Sequence, residues 1–423
     1  MRITSVRGFK DILPDEICKW QFVEATARQV FETYGFSEMR IPILEKTDLF
    51  ARGIGETTDI VEKEMYTFTD RSGTSVTLRP EATASIVRAC IENGLFARNS
   101  EAKLFVIGPM FRYERPQKGR LRQFNQINVE AFGAGDPEVD AEIMVMLIHF
   151  LQKTGLEKLE LQINTLGCKI CRPPYREKLR KFLLAHEKSF CTDCQRRIHT
   201  NPLRIFDCKV DSCKMIMTNA PLLTDSLGPE CRDHFQAVML YLAMSKTPYV
   251  VNPRMVRGLD YYVRTAFEVL SYDLGAQNAV AGGGRYDGLV SDLGGPEIPG
   301  TGFAIGMERL ISLLPSEKEL KKRPRVFIAS VGEDARSEVF KLAHDLRPAG
   351  LVVDIGYGKK SLKSQMRRAH KLGCHYVVIL GEEELKNRKV VIRDMQAKTQ
   401  EDMDLDRLTA ILIEKITRRV KGE

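Results

Sequence analysis

The stretch from Leu104 to Gly133 constrains the fold most. LFVIGPMFRYE and FNQINVEAFG read as two strands, and the polar, basic run RPQKGRLRQ lies between them. They form a long antiparallel hairpin with a charged tip. Strand alternation turns Arg112, Glu114, Phe124, Gln126 and Asn128 toward one face, and Glu130 continues that parity. The body that carries such a hairpin is expected to be built on an antiparallel sheet.

The rest of the chain supplies helices and more strands. A helix is expected from about Pro14 to Tyr34, with Gly35 as its stop. In FSEMRIPILEKTDLF, Met39, Ile41 and Ile43 alternate as in a strand, and Pro42 marks an edge. MYTFTD and SVTLRP make short strands around a turn at Arg71-Ser72-Gly73, and PEATASIVRACIENG reads as a helix. GDPEVDAEIMVMLIHFLQKTG is a helix whose acidic first turn suits the helix dipole. From Cys168 to Thr247 the pattern turns cysteine-rich, basic and helical, as in an inserted subdomain. KKRPR at 321–325 reads as a linker. Beyond it VFIASV, LVVDIG and YVVILG alternate with helices, one of which aligns Val339, Leu342, Ala343 and Leu346. The last helix aligns Leu405, Leu408, Leu412 and Ile416. The expected organisation is a body over 1–325, an insertion within it over 168–247, and a small α/β domain over 326–423.

Charge follows the same partition. The chain has 423 residues, with 64 Lys plus Arg against 56 Asp plus Glu, a net +8. Residues 168–247 carry +6 and residues 326–423 carry +4, so the remainder is −2. Clustered positive charge fits a polyanion partner or a solvated basic surface, and charge alone does not choose between them. An apolar fraction of 43% with 28% charged residues excludes a mainly disordered or fibrous chain. No run of about 18 apolar residues occurs, so no membrane span is expected. MRITSVRGFKDILPDE lacks the apolar core of a secretory signal. Ten cysteines in such a chain point to a reducing, cytoplasmic setting with free thiols or metal ligation.

Five motifs carry chemistry, and each has a plainer reading beside it. Phe111-Arg112-Tyr113-Glu114 with Gln123–Glu130 offers a guanidinium for phosphate, a carboxylate for an exocyclic amine and a ring for stacking; it is equally an ion-paired hairpin. RGLDYY at 257–262 offers a cation, an acid and two phenols for a small polar ring, or a strand entry with buried tyrosines. AGGGRYDGLV at 281–290 fails the dinucleotide fingerprint and reads as a glycine turn. GFAIGMERL at 302–310 leads into a helix bearing Arg309, a phosphate site or a surface arginine. RPEATAS at 79–85 sets Glu81 and Thr83 before a helix, to receive an ammonium group or to cap the helix.

In this order and spacing the chain resembles a class II aminoacyl-tRNA synthetase, specifically the bacterial type of histidyl-tRNA synthetase. RGFKDILP at 7–14 opens the resemblance and FSEMRIPILE stands as motif 1. FRYERPQKGRLRQFNQ stands as motif 2, RGLDYYVRTAFE and AGGGRYDGLV as the histidine signatures, and GFAIGMERL as motif 3. The fold it implies is an α+β catalytic core on an antiparallel sheet, a helical insertion and a C-terminal α/β anticodon-binding domain. The reaction it implies joins L-histidine to the 3′ end of tRNA(His) through an adenylate, using ATP and Mg2+, in a homodimer formed through motif 1.

Residue roles follow from the same resemblance. Arg112 and Arg309 hold ATP phosphates, Glu114 and Phe124 meet adenine, and Arg257 is the catalytic arginine. Glu81, Ala82, Thr83 and Gln126 serve the amino and carboxylate ends of histidine. Ala82 stands where glycine is common. Glu130 and Tyr262 read the imidazole, and Tyr261 and Tyr286 close the pocket. Arg115, Gln117, Lys118, Arg120 and Arg122 meet the tRNA acceptor end. Asn125, where His is frequent, is expected to point away from the ligand.

Cys168-x-x-Cys171 and Cys191-x-x-Cys194 have the spacing of a zinc knuckle, with Cys208 and Cys213 nearby. Four thiolates can hold a structural Zn2+ there; the helical insertion can also fold without one. Two other functions compete with the enzyme. A non-charging paralogue, such as the regulatory subunit of ATP phosphoribosyltransferase, is expected to lack parts of the charging apparatus. A pure RNA-binding module has no use for Glu81, Glu130 and Tyr262 in a near-neutral body.

Overall fold

The computed structural model describes residues 3–55, 58, 60–98, 101–117, 119–259, 261–274, 278–314 and 325–421. The chain divides into two compact units, Met1–Glu317 and Lys318–Glu423.

The first unit is built on an eight-stranded sheet. Its order is Ser37–Glu38, Ala102–Phe111, Gln123–Phe132, Gly300–Gly306, Ala279–Arg285, Val263–Ser271, Leu159–Thr165 and Val250–Val251. The two outermost pairings are parallel and the rest antiparallel. The hairpin read from sequence is present, with Leu104 opposite Glu130 and Phe111 opposite Gln123. Arg112 and Glu114 lie just beyond the end of its first strand.

Alternation sorts the second hairpin strand. Ile127, Val129 and Ala131 enter the main apolar core with helices Ile17–Thr33 and Pro137–Lys153. There Phe31 meets Phe105 and Phe150, each at 5.3 Å between ring centroids. Gln126, Asn128 and Glu130 turn to the other face and line a cavity. Helix Thr83–Glu92 packs on that face through Ile86 and Val87.

Two local expectations fail for identifiable reasons. The strand over Met39–Ile43 is broken into Ser37–Glu38 and Leu44–Lys46. Between them the buried Arg79 guanidinium takes the carbonyls of Ile41 and Pro42, at 2.7 and 3.2 Å, so no strand can. The Gly282–Gly284 run is an internal strand, Ala279–Arg285, and not a turn. Its glycines answer to close packing. A Cβ at Gly283 would stand 2.1 Å from the Gly302 carbonyl, and one at Gly282 would stand 2.5 Å from Nη1 of Arg257.

The next residue anchors the sheet to a helix. Arg285 and Asp140, both wholly buried, pair at 2.8 Å. Asp287 and the carbonyls of Ala134 and Asp136 accept the remaining guanidinium N–H groups. A buried charge needs this full satisfaction to be tolerated.

Within 168–247, helices Arg172–Ala185, Thr192–Thr200 and Asp211–Met217 surround their own apolar cluster, which includes Tyr175, Leu179 and Ile198. The last helix of this stretch, Pro229–Met244, sends Phe235, Val238 and Leu242 into the main core.

The second unit is a five-stranded sheet ordered Val352–Ile355, Arg325–Ser330, Tyr376–Leu380, Lys389–Asp394, Gln400–Asp404. The first three strands run parallel, and only Lys389–Asp394 runs against the others. Val339, Leu342, Ala343 and Leu346 are buried as one face of helix Asp334–Leu346, and Leu408 and Leu412 are buried in the last helix. On helix Leu362–Lys371, Gln365 is buried and bonds both the N–H and the carbonyl of Ser330. The residues of KKRPR before Arg325 lie outside the described residues.

Candidate active site

The cavity on the polar face of the sheet has a volume of about 310 Å3. Its floor comes from Gln123–Phe132, from which Phe124, Gln126, Asn128 and Glu130 point into it. One wall comes from the start of helix Thr83–Glu92 and another from the segment Arg257–Tyr262. Glu81, Thr83, Glu130, Arg257, Tyr262 and Tyr286 all reach it, though they are far apart in sequence.

Two buried carboxylates lie at its inner end. Glu130 accepts the Thr83 hydroxyl at 2.6 Å and the Tyr286 hydroxyl on its other oxygen. Glu81 accepts the backbone N–H groups of Thr83 at 2.7 Å and Ala84 at 2.9 Å. Glu81 therefore caps the helix and lines the cavity at once. Burial pushes the Glu130 carboxyl up to about 8, against the pull of the Thr83 and Tyr286 hydroxyls. Burial also raises Glu81, against its amide donors. Two desolvated acids side by side favour a ligand that brings N–H donors or positive charge.

Arginines occupy the rest. The Arg257 guanidinium pairs with Glu268 and lies 5.4 Å from the centre of the Tyr262 ring. Burial works against its charge, but Tyr262 and Glu268 outweigh that and hold its pKa above the ordinary value. Arg112 is pinned by Nε to the Pro80 carbonyl at 2.9 Å and lies 5.3 Å from the centre of the Phe124 ring. Arg309 donates to the carbonyl of Ala279 at 2.9 Å. Cations fixed in this way, with an aromatic face among them, suit a nucleotide with its phosphates.

The family model of histidyl-tRNA synthetase matches residues 8–172 and 209–310, and that of the anticodon binding domain matches 325–415. Histidine–tRNA ligase of Geobacter metallireducens is 53% identical over 404 residues, covering 96% of this chain and 98% of that protein. The chain belongs to the histidyl-tRNA synthetase family. The ligase of Syntrophotalea carbinolica is 50% identical, covering 98% of this chain and 99% of that one. The crystal structure of apo S. aureus histidyl-tRNA synthetase superposes with a TM-score of 0.82 at 38% identity, covering 97% of this chain and 99% of that one. A Bacillus halodurans structure titled as an ATP phosphoribosyltransferase regulatory subunit/histidyl-tRNA synthetase shares 20% identity and a TM-score of 0.64, and so shares the fold.

For a histidyl-tRNA synthetase, the grouping of the sequence-derived residues is close. Glu81, Thr83, Gln126, Glu130, Arg257, Tyr261, Tyr262 and Tyr286 share the cavity with Arg112, Glu114, Phe124 and Arg309. Ala82 does not line it; its methyl is buried in the apolar cluster beneath. Of the basic loop, Arg115 and Gln117 are exposed, and Lys118 lies outside the described residues. Arg120, also exposed, lines the cavity and pairs with Glu114 at 3.2 Å. Arg122 lies 3.9 Å from the centre of the Tyr113 ring and donates its backbone N–H to Gly8, which ties RGFKDILP to the loop. Asp260 lies outside the described residues.

Three polar lining residues, Asn128, Glu268 and Glu308, were given no role from sequence. Asn128 leaves Oδ1 buried without a hydrogen bond among the described residues, as Gln126 leaves Oε1. Parity had already turned Asn128 inward. Glu268 is the partner of Arg257, and Glu308 accepts from the backbone and side chain of Asn125 at 2.8 and 3.1 Å. Asn125 thus carries more than its outward parity indicated: it braces a carboxylate of motif 3.

Proposed function

We propose that the chain activates L-histidine with ATP and transfers it to tRNA(His). The observation that carries this reading is the joining, in one cavity, of the acids Glu81 and Glu130 to the arginines Arg112 and Arg257. In the first step the histidine carboxylate attacks the α-phosphorus of ATP and pyrophosphate leaves. Negative charge grows on the phosphate oxygens, and prepositioned cations lower the barrier. Arg257 and Arg112 take that role, with Arg309 on the outer phosphates. In the second step a hydroxyl of the terminal ribose attacks the acyl carbon of the anhydride, and AMP leaves.

Histidine selection rests on Glu130 with Tyr262. An imidazole ring brings two nitrogens, and a site that bonds both rejects side chains lacking them. Glu81 receives the α-ammonium group, with Thr83 and Gln126 beside it. Glu114 and Phe124 accept the adenine.

Magnesium ion keeps several waters and needs only one or two carboxylates beside substrate phosphates. The cavity offers Glu114, Glu268 and Glu308, which fit that requirement. When bound, the ion neutralises phosphate charge.

The partners are therefore ATP, L-histidine, tRNA(His) and a second copy of the chain. Dimerisation through motif 1 is supported by the apolar Ile43 and Leu44, which stand 43% and 42% exposed there. No helix among the described residues is long and apolar enough to cross a membrane. A cytoplasmic setting fits a tRNA substrate and ten cysteines free of disulfides.

ATP–pyrophosphate exchange with each amino acid tests the reading. Exchange that depends on histidine is the expected result. Its absence from folded protein sinks the enzyme reading. Arg257→Ala is expected to abolish exchange and to leave tRNA affinity nearly unchanged.

A further inference from the structure

The insertion holds its cysteines in two groups, and neither is the set that spacing suggested. Cys191, Cys194, Cys208 and Cys213 bring their sulfurs within 4.8 Å of one another. Cys168 and Cys171 join Cys231 in a separate group of three. Each Cys-x-x-Cys pair keeps together, but the two pairs serve different groups.

We propose that Cys191, Cys194, Cys208 and Cys213 form a structural Zn2+ site that fixes the clamp on the backbone of Arg257. The donor set is four thiols with no carboxylate, the composition of closed zinc sites. Its dimensions fit. At a Zn–S bond of about 2.3 Å, tetrahedral sulfurs lie about 3.8 Å apart. Cys191 and Cys208 stand at 3.9 Å. A disulfide needs about 2.05 Å, so the spacing is that of ligands and not of a bridge.

The surroundings match as well. The N–H of Cys191 donates to the sulfur of Cys213 at 3.3 Å, an outer-shell bond of the kind that steadies a thiolate ligand. Cys194 and Cys213 are wholly buried, against Ile198, Ile205 and Met217. The three helices around this cluster enclose a small core, the situation in which a metal contributes most to folding. Cys191, Cys194 and Cys208 also fall within 173–208, the stretch that lies between the two matched segments of the synthetase model.

The link to the active site runs through one turn. Cys208 closes the 3-10 helix Pro202–Asp207, its N–H bonding the Ile205 carbonyl. From that helix Arg204 donates to the Arg257 carbonyl at 3.1 Å and to Asp207 at 3.1 Å. A ligand bond at Cys208 therefore holds the turn that holds the backbone of Arg257. This part rests on the assignment of Arg257 to catalysis; the metal site itself does not.

Metal content, measured by mass spectrometry on protein purified without chelator, tests the site first. Cys208→Ser and Cys194→Ser are each expected to lose one zinc per chain relative to wild type. Cys231→Ser, in the other group, is expected to keep that zinc. Cobalt substitution is expected to give the intense thiolate charge-transfer absorption of a tetrahedral four-sulfur site, absent in Cys208→Ser. Iron with sulfide in place of zinc, a disulfide among the four, or unchanged zinc in Cys208→Ser would overturn the proposal.

The clamp is tested separately with Arg204→Ala, which leaves every ligand in place. It is expected to keep its zinc and to lower the maximal rate of histidine-dependent exchange about 10-fold or more, with histidine KM nearly unchanged. An unchanged rate overturns the clamp and leaves the metal result standing. If wild type shows no exchange while zinc is bound, the reading of catalysis fails and the metal site does not.

Discussion

Tyr286 donates its hydroxyl to Glu130 across 156 residues of sequence, and both side chains are buried. With the Thr83 hydroxyl on the other oxygen, the carboxyl group is fixed in position, while burial disfavours its ionised form. A substrate N–H that approaches it meets an oriented acceptor in a dry site.

That arrangement predicts a pH dependence. Glu130 in the folded protein holds its proton up to about 8, whereas its ordinary value is 4.5. Between these limits the folded state retains a proton that the unfolded chain has released, so this group's contribution to stability falls as pH rises. On the proposed role of Glu130, histidine binding uses the carboxylate, so the KM for histidine is expected to fall as pH climbs toward 8. Glu130→Gln should flatten that dependence and raise KM roughly 10- to 100-fold. The ligand's own ring titration, near about 6.5, is common to both proteins and cancels in the comparison. A parallel pH profile in the variant would contradict the role.

Gly282→Ala is expected to act chiefly through Arg257, beside which Gly282 lines the cavity. The added Cβ would stand 2.5 Å from Nη1 and 2.7 Å from Nη2, so the guanidinium must move. If Arg257 acts as proposed, a shift of about 1 Å costs about 100-fold in rate. Pyrophosphate exchange should drop by that order, while circular dichroism reports an intact fold.

Asp140→Asn tests a residue pair outside the chemistry. It leaves the Arg285 charge buried with Asp287 as its remaining acidic partner. Breaking a buried pair costs about 3–5 kcal/mol. The urea midpoint is expected to fall accordingly, with the unfolding slope unchanged.

The C-terminal unit carries the prediction about tRNA. Lys359, Lys360, Lys363, Arg367 and Arg368 lie on or just before helix Leu362–Lys371, with Arg368 at 5.3 Å from the centre of the Tyr357 ring. Neutralising all five should weaken tRNA binding and leave histidine activation intact. Every phosphate that goes without its cation flattens the slope of log affinity against log salt by roughly 0.7–0.9. An unchanged slope would mean that these charges only solvate the helix.

Much of this is legible in the sequence alone. The parity from Phe124 to Glu130 places four side chains correctly, because a strand buried on both faces still alternates between an apolar core and a polar cavity. What escapes depends on partners distant in sequence. Nothing near Ile41 announces that Arg79 will take its carbonyl. Nothing in AGGGR says that the room left by its glycines is filled by Arg257. The cysteine pairs are legible as pairs, but their grouping is decided by helices that bring Cys208 and Cys213 to one pair and Cys231 to the other.

Gly282 and Gly302 line the cavity from adjacent strands, and a Cβ at Gly302 would meet Glu130 Oε2 at 1.9 Å. That part of the pocket is bare backbone, so it offers no side chain to exchange. Redesign for another amino acid substrate must therefore proceed from side chains elsewhere in the cavity, Thr83 on its wall and Gln126 and Asn128 on its floor. Drift in specificity is closed off on one side of the site by geometry alone.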